Sequence, residues 1–79
     1  MLDQYTQKEI KLAREIAETL GDIASLPFHL QMVRKYKEEF LRKILAHVMA
    51  VPENQIKRSR AALYVYLINQ SSQYGNARY

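Results

Sequence analysis

Apolar residues recur along the first part of the chain at spacings of three and four, the period of an α-helix with one buried face. Thr6, followed three residues later by Glu9, is the sequence signature of a capping box, in which each side chain accepts a hydrogen bond from an orphan backbone N–H. A first helix is therefore predicted to begin near Gln7 and to end at Gly21, which can adopt the left-handed conformation common after a helix. Its predicted apolar face consists of Ile10, Ala13, Ile16, Ala17 and Leu20.

A second and a third helical pattern follow in the middle of the chain. Ser25 can cap a helix whose first turn holds Pro27, where the missing N–H costs nothing, and this helix is predicted to reach about Tyr36. Glu38 and Glu39 suit the beginning of another helix because carboxylates interact favourably with a helix amino terminus. No Gly or Pro interrupts residues 34–39, so the pattern leaves open whether these are two helices or one.

Pro52 cannot continue the third helix, and the residues around it are typical of a tight turn. A fourth helix is predicted at about Gln55–Asn69, with a basic beginning and an apolar run from Ala61 to Ile68. The fold class is therefore an all-α compact bundle of three to four helices, with one domain over residues 1–70 and a flexible tail over residues 71–79. The expected core is Ile10, Ile16, Leu20, Phe28, Phe40, Ile44, Leu45, Val48, Leu63, Tyr66 and Leu67.

Composition limits how such a domain can be stabilised and where it works. With 79 residues, of which 48% are hydrophobic, the chain has room for one core, and its stability is expected to be marginal. The absence of Cys excludes disulfides and thiolate zinc sites, so association with another copy or another chain is the natural supplement. No apolar run approaches the ~18 residues of a membrane span and no signal segment is present, which predicts a cytoplasmic protein without membrane contact.

The sequence offers no arrangement of side chains typical of catalysis. His29 and His47 lie on different predicted helices, each expected at the surface or half-buried, and neither has a partner at metal-binding spacing. Glu38 and Glu39 are adjacent on a helix and so point in different directions. With two Gly in the whole chain there is no phosphate-binding glycine loop. We therefore expect no enzyme activity, no cofactor, no metal and no small-molecule substrate.

The charge is distributed unevenly around a net value of +4. Residues 1–27 carry three Lys or Arg and five Asp or Glu, whereas residues 28–79 carry nine and three. This asymmetry directs the second half of the chain towards an anionic partner, although a basic run on a helix is also typical of a solvated face.

The basic beginning of the fourth predicted helix, which follows a helix and a proline turn, suggests a nucleic-acid interface. A recognition helix contacts DNA with its amino-terminal residues while its distal part packs on the protein. Lys and Arg can neutralise phosphates, Arg can bind guanine edges, Gln can pair with adenine and Ser can bind phosphate. The predicted DNA-binding residues are Gln55, Lys57, Arg58, Ser59 and Arg60, with Arg34 and Lys35 as secondary candidates; the sequence does not distinguish duplex from single-stranded DNA.

A protein-interaction or homodimerisation module is the alternative function. The run from Ala61 to Ile68 is apolar on all sides of a helix, and such a helix is either central in a bundle or covered by a partner. On this interpretation Tyr64 and Ile68 form an exposed surface that binds a partner helix.

Residues 26–69 also carry a sequence pattern known from other proteins. Tyr36, an apolar stripe, Pro52, Ile56-Lys57 and the run from Ser59 to Leu63, with Tyr66-Leu67, resemble the carboxy-terminal helical segments of replication-initiation and related proteins of plasmids, phages and integrative elements. Those segments end in the pattern Ile/Val-Lys/Arg-x-x-x-Ala-Ala/Gly-Tyr/Phe/Leu and commonly have Asn-Pro where this chain has Ser59-Arg60. The resemblance implies a DNA-binding or partner-docking accessory module in the DNA replication or maintenance of a bacterial mobile element.

Overall fold

The computed structural model describes residues 4–74, and the side chains of residues 4–71. Within this range the chain forms four α-helices and no β-strand, so the predicted all-α class is confirmed. Two short 3₁₀ turns, Ile23–Ser25 and Glu53–Gln55, lie in the connections. The helices are α1 (Gln7–Thr19), α2 (Leu26–Lys35), α3 (Glu38–Ala50) and α4 (Arg60–Tyr74).

The chain divides into two compact units. The N-terminal unit extends to Leu41 and the C-terminal unit begins at Arg42, so the boundary falls within α3. The single domain over residues 1–70 stays a prediction. The predicted flexible tail overlaps α4, which includes residues 71–74, and its remainder, residues 75–79, lies outside the described residues.

The two ends of α1 are those that the sequence predicts. Thr6 Oγ1 accepts a hydrogen bond from the backbone N–H of Glu9 at 3.1 Å, and Glu9 Oε1 accepts one from the N–H of Thr6 at 2.8 Å. At the other end Gly21 has a φ of 67°, and the N–H of Asp22 reaches back to the carbonyl of Ala17 at 2.7 Å. This is the hydrogen-bond pattern of a Schellman motif, which satisfies carbonyls that the end of a helix would otherwise leave unpaired.

The N-terminal unit is built on the packing of α1 against α2. The buried face of α1 partly differs from the predicted one, because Leu12 is buried whereas Ile10 and Leu20 are only half-buried. From α2, the buried side chains are His29, Leu30 and Val33.

Helices α2 and α3 are separate, which settles the question that residues 34–39 left open. Tyr36 adopts an extended conformation, with φ −122° and ψ 156°, immediately after the last residue of α2. The rings of Tyr36 and Phe40 lie 5.2 Å apart, so an aromatic contact supports the beginning of α3. Glu38 and Glu39 occupy the first turn of α3, where their charge favours the helix dipole.

The fourth helix begins later than predicted, at Arg60 rather than about Gln55. Gln55 belongs to the 3₁₀ turn, and Ile56 is extended, with φ −84° and ψ 114°, and half-buried. Ser59 is the residue that caps α4, because its Oγ accepts a hydrogen bond from the N–H of Ala62 at 3.0 Å. The sequence-based prediction began the helix directly after the turn at Pro52 and did not recognise Ser59 as its N-cap.

The face that α4 buries is also different from the predicted one. Tyr64 and Ile68 are 0% and 1% exposed, whereas Tyr66, expected in the core, is 59% exposed. Leu63 and Leu67, also expected in the core, are half-buried, as are Phe28, Phe40 and Ile44 in the other helices. The apolar run from Ala61 to Ile68 contains no polar residue to mark a solvent face, so the sequence could not assign the burial of α4. Of the predicted core residues, the structure buries Ile16, Leu45 and Val48.

The burial of α4 gives a stability prediction with an internal control. Ile68→Ala is expected to lower the free energy of unfolding by about 2–5 kcal/mol, because it leaves a cavity at a buried position. Tyr66→Ala, two residues earlier on the same helix, is expected to change it by less than about 0.5 kcal/mol because Tyr66 is exposed. Urea denaturation followed by circular dichroism measures both; equal destabilisation of the two variants would contradict the burial of Ile68.

Candidate nucleic-acid interface

The connection between α3 and α4 carries the predicted interface, and its shape begins with Pro52. In an uninterrupted helix the carbonyl of Val48 would accept a hydrogen bond from the N–H four residues later, but that residue is Pro52 and has no N–H. The N–H of Val51 instead reaches the Val48 carbonyl at 3.3 Å, a tighter turn with a longer bond than the regular helical one. The last turn of α3 therefore needs a further donor.

Arg60 is that donor. Its Nη1 donates to the carbonyl of Val48 at 2.7 Å and to the carbonyl of Val51 at 2.9 Å. The side chain is half-buried, and its positive charge lies at the carboxy terminus of α3, where the helix dipole favours a cation. The first residue of α4 thus caps the end of α3 and closes the connection between them.

Short backbone hydrogen bonds order the rest of this connection. The N–H of Gln55 donates to the carbonyl of Pro52 at 2.9 Å, and the N–H of Ile56 donates to the carbonyl of Glu53 at 3.1 Å. At the other end Ser59 caps α4. Between these anchored stretches lie Lys57 and Arg58, which we call the basic pair.

The side chains of the basic pair are exposed and make no hydrogen bond or ion pair within residues 4–71. Their unit is strongly cationic: from Arg42 onward the sequence contains six Lys or Arg and a single acidic residue, Glu53. Up to Leu41 it contains six Lys or Arg and seven Asp or Glu. The cationic excess of the chain therefore belongs to the C-terminal unit, and the basic pair is a part of it that no side chain of residues 4–71 neutralises.

The predicted recognition helix is not formed by the residues assigned to it. Gln55, Lys57, Arg58 and Ser59 all precede α4, so they cannot enter a groove as the first turns of a helix. Gln55 is exposed on the 3₁₀ turn, Ser59 uses its hydroxyl as a cap, and Arg60 uses its guanidinium on backbone carbonyls. This role of Arg60 was not predicted, although the sequence contains its signal: a proline four residues after Val48 removes a donor, and an Arg at the next helix start can replace it.

The two secondary candidates, Arg34 and Lys35, lie at the end of α2 in the N-terminal unit. Arg34 Nη2 donates to the carbonyl of Gln4 and to Glu9 Oε1, the latter at 3.1 Å. The guanidinium carbon also lies 4.2 Å from the centre of the Tyr5 ring, a cation–π geometry. Arg34 thus fastens the segment before α1 to α2. Lys35 is exposed, with its Nζ 5.5 Å from the centre of the Tyr36 ring.

The same cluster of hydrogen bonds acts on the Glu9 carboxyl. The hydrogen bond from the backbone of Thr6 and that from Arg34 lower the pKa of the Glu9 carboxyl below its ordinary value, and partial burial opposes them. The hydrogen bond from the Thr6 backbone is the largest single cause, and Arg34 lowers the pKa through both its hydrogen bond and its charge.

The structure does not expose the two residues that were predicted to bind a partner helix. Tyr64 and Ile68 were expected at the surface of α4, but both side chains are buried, so the prediction of their exposure is wrong. Burial also raises the pKa of the Tyr64 hydroxyl, because its charged form would lose contact with water. The two residues stabilise the chain itself.

The two histidines differ in their surroundings. His47 is exposed, whereas His29 is 0% exposed, contrary to the expectation of a surface or half-buried residue. Its Nε2 lies 3.0 Å from Asp22 Oδ2, which joins the turn after α1 to α2. Among the described residues no group of three or more His, Cys, Asp or Glu side chains is arranged to hold a metal ion.

Comparisons with known proteins add no relative to this geometry. No protein-family model matches the chain, and neither the curated proteins nor the solved structures contain a significant match. In residues 4–74, none of the helices combines the length and the hydropathy that crossing a membrane requires.

The contact between Arg34 and Glu9 predicts a pH effect with a definite sign. Arg34→Gln is expected to raise the pKa of Glu9 only part of the way back to its ordinary value, because the Thr6 hydrogen bond remains. The pKa of Glu9 is lower in the folded state than in the unfolded state. The ionised Glu9 carboxylate therefore contributes fully to the stability of the fold above its unfolded-state pKa, and this contribution is lost as pH falls through the folded-state pKa. NMR titration of the Glu9 carboxyl carbon measures the pKa of Glu9 in the parent protein and in Arg34→Gln. Lys35→Gln is the control, because it removes a neighbouring charge without removing the contact. An identical Glu9 titration in Arg34→Gln and the parent protein would contradict the contact.

Proposed function

We propose that this chain is a DNA-binding accessory module that contacts backbone phosphates through Lys57 and Arg58. The observation that carries the proposal is the state of this basic pair: two adjacent exposed cations without a partner within residues 4–71, in a unit with a large cationic excess. Phosphate contacts supply most of the affinity of non-specific DNA binding, and Lys and Arg are the residues that make them. Binding, without catalysis, is the activity that we assign to the chain.

The position of the basic pair before α4 favours phosphate contact over the reading of bases. A recognition helix reads bases from its first turns, whereas Lys57 and Arg58 lie on a connection and Arg60 is engaged with backbone carbonyls. Two phosphate contacts give a low affinity that does not depend strongly on sequence. Such affinity suits a module that assists another DNA-processing factor, the context that the resemblance to mobile-element replication proteins implies.

A protein-interaction or dimerisation module remains a second hypothesis with weaker support. Its two predicted residues, Tyr64 and Ile68, are buried, which leaves Tyr66 as an exposed large apolar side chain of α4 in the described range. A single exposed aromatic side chain is ordinary on a protein surface and does not define a docking site. We therefore favour the nucleic-acid function.

The proposal predicts a specific salt dependence of binding to duplex DNA. With two phosphates neutralised, the logarithm of the binding constant should fall against the logarithm of salt concentration with a slope of about −1.8, so affinity drops about twelvefold between about 50 and 200 mM salt. Lys57→Ala/Arg58→Ala should remove this binding. Fluorescence anisotropy with labelled duplex and single-stranded DNA measures both quantities.

A control of equal net charge separates a local site from general attraction. Lys8→Ala/Lys11→Ala removes two exposed cations from α1 in the N-terminal unit, so both double variants carry the same net charge. The α1 variant is expected to bind as the parent protein does. Equally weakened binding by the two variants would show that net charge alone drives binding, and absence of binding by the parent protein at low salt would refute the DNA-binding function.

A further inference from the structure

We infer that Arg60 is a positioning residue for the basic pair, which holds the connection that presents Lys57 and Arg58 and does not itself contact phosphate. The inference rests on the proposed function, because it concerns how the same site is prepared for its ligand. Of these three neighbouring cations, Lys57 and Arg58 would neutralise phosphates, whereas Arg60 would hold the conformation of the connection.

The contacts of Arg60 are those of an internal structural group. One nitrogen, Nη1, donates to both the Val48 and the Val51 carbonyls, and the side chain is half-buried. Turning the guanidinium towards a phosphate would break both bonds at the end of a helix where Pro52 has already removed a backbone donor. The Val48 carbonyl would then keep only the 3.3 Å bond from the Val51 N–H, and the Val51 carbonyl would lose the bond from Arg60, so the internal position of Arg60 is the favoured one.

These bonds close the connection from Val51 to Arg60 into a loop with tied ends. Inside the loop the backbone bonds of Gln55 and Ile56 fix the first part, and the Ser59 cap fixes the last. Lys57 and Arg58 therefore lie between two stretches that hydrogen bonds hold in place. Ordering a loop on binding reduces affinity, so prior closure by Arg60 raises the affinity of the pair for phosphate.

The two roles give different signatures in a salt titration. A residue that neutralises a phosphate contributes to the slope of the binding constant against salt, and its removal flattens that slope by about 0.9 on duplex DNA. A residue that only orders the loop changes affinity and leaves the slope as it was. Comparing Arg60→Lys, which keeps the cation, with Arg60→Gln, which removes it, distinguishes neutralisation of a phosphate from ordering of the connection.

The experiment measures anisotropy of labelled duplex DNA with the full chain carrying Arg60→Lys, Arg60→Gln or Lys57→Ala, across about 50 to 200 mM salt. We expect both Arg60 variants to bind roughly two- to tenfold more weakly with the slope of the parent protein, because Gln is shorter and uncharged and the Lys ammonium ends closer to the backbone than Nη1 of Arg60 does. Lys57→Ala should flatten the slope by about 0.9. Amide hydrogen exchange without DNA should be faster at Gln55 and Ile56 in the Arg60 variants and unchanged in Lys57→Ala.

The outcomes separate this inference from the proposed function. A slope flattened by about 0.9 in Arg60→Gln, with a normal slope in Arg60→Lys, would make Arg60 a phosphate contact and overturn its positioning role. Parent-like affinity and exchange in both variants would overturn it as well. If the parent protein does not bind DNA, the proposed function fails, and with it the presentation of the pair to phosphate, while the exchange data still decide whether Arg60 orders the loop. Arg60→Lys keeps the comparison valid if Arg60→Gln fails to fold.

Discussion

The missing N–H of Pro52 leaves the Val48 carbonyl without the donor that an α-helix would supply, and the features of the following connection depend on how this is resolved. Arg60 supplies the replacement with one nitrogen shared between the Val48 and Val51 carbonyls. Because this nitrogen belongs to the first residue of α4, the end of one helix is tied to the beginning of the next. The connection is thereby closed, and the basic pair of Lys57 and Arg58 lies on it.

Arg34 in the N-terminal unit and Arg60 in the C-terminal unit both use their guanidinium groups to connect separate segments of their own unit. Arg34 bonds the carbonyl of Gln4 and the Glu9 carboxylate, and Arg60 bonds two carbonyls at the end of α3. A guanidinium has five N–H groups in a planar fork and is always charged, so it can donate to several acceptors at once. Lys57 and Arg58 have no such acceptors within the part of the chain that the structure describes, and this distinguishes them from Arg60.

The distribution of charge gives the proposed function its physical basis. The N-terminal unit has nearly balanced charge and uses part of it internally, in the Arg34–Glu9 contact and in the Asp22–His29 contact. The C-terminal unit has one acidic residue against six Lys or Arg, so its cations have little to neutralise them within their own unit. In the proposed function an anionic polymer would supply the missing countercharge, and release of its condensed ions would provide the driving force.

The sequence by itself determined the elements whose signals are local: the capping box and left-handed Gly21 around α1, and the end of α3 before Pro52. It did not determine the break at Tyr36, the start of α4 or the face that α4 buries, because the run from Ala61 to Ile68 has no polar residue to mark a solvent side. It identified Lys57 and Arg58 as candidates by composition, but only the tertiary structure separated them from Arg60. That distinction depends on two carbonyls, at Val48 and Val51, whose closeness to Arg60 arises only when the chain folds back on itself.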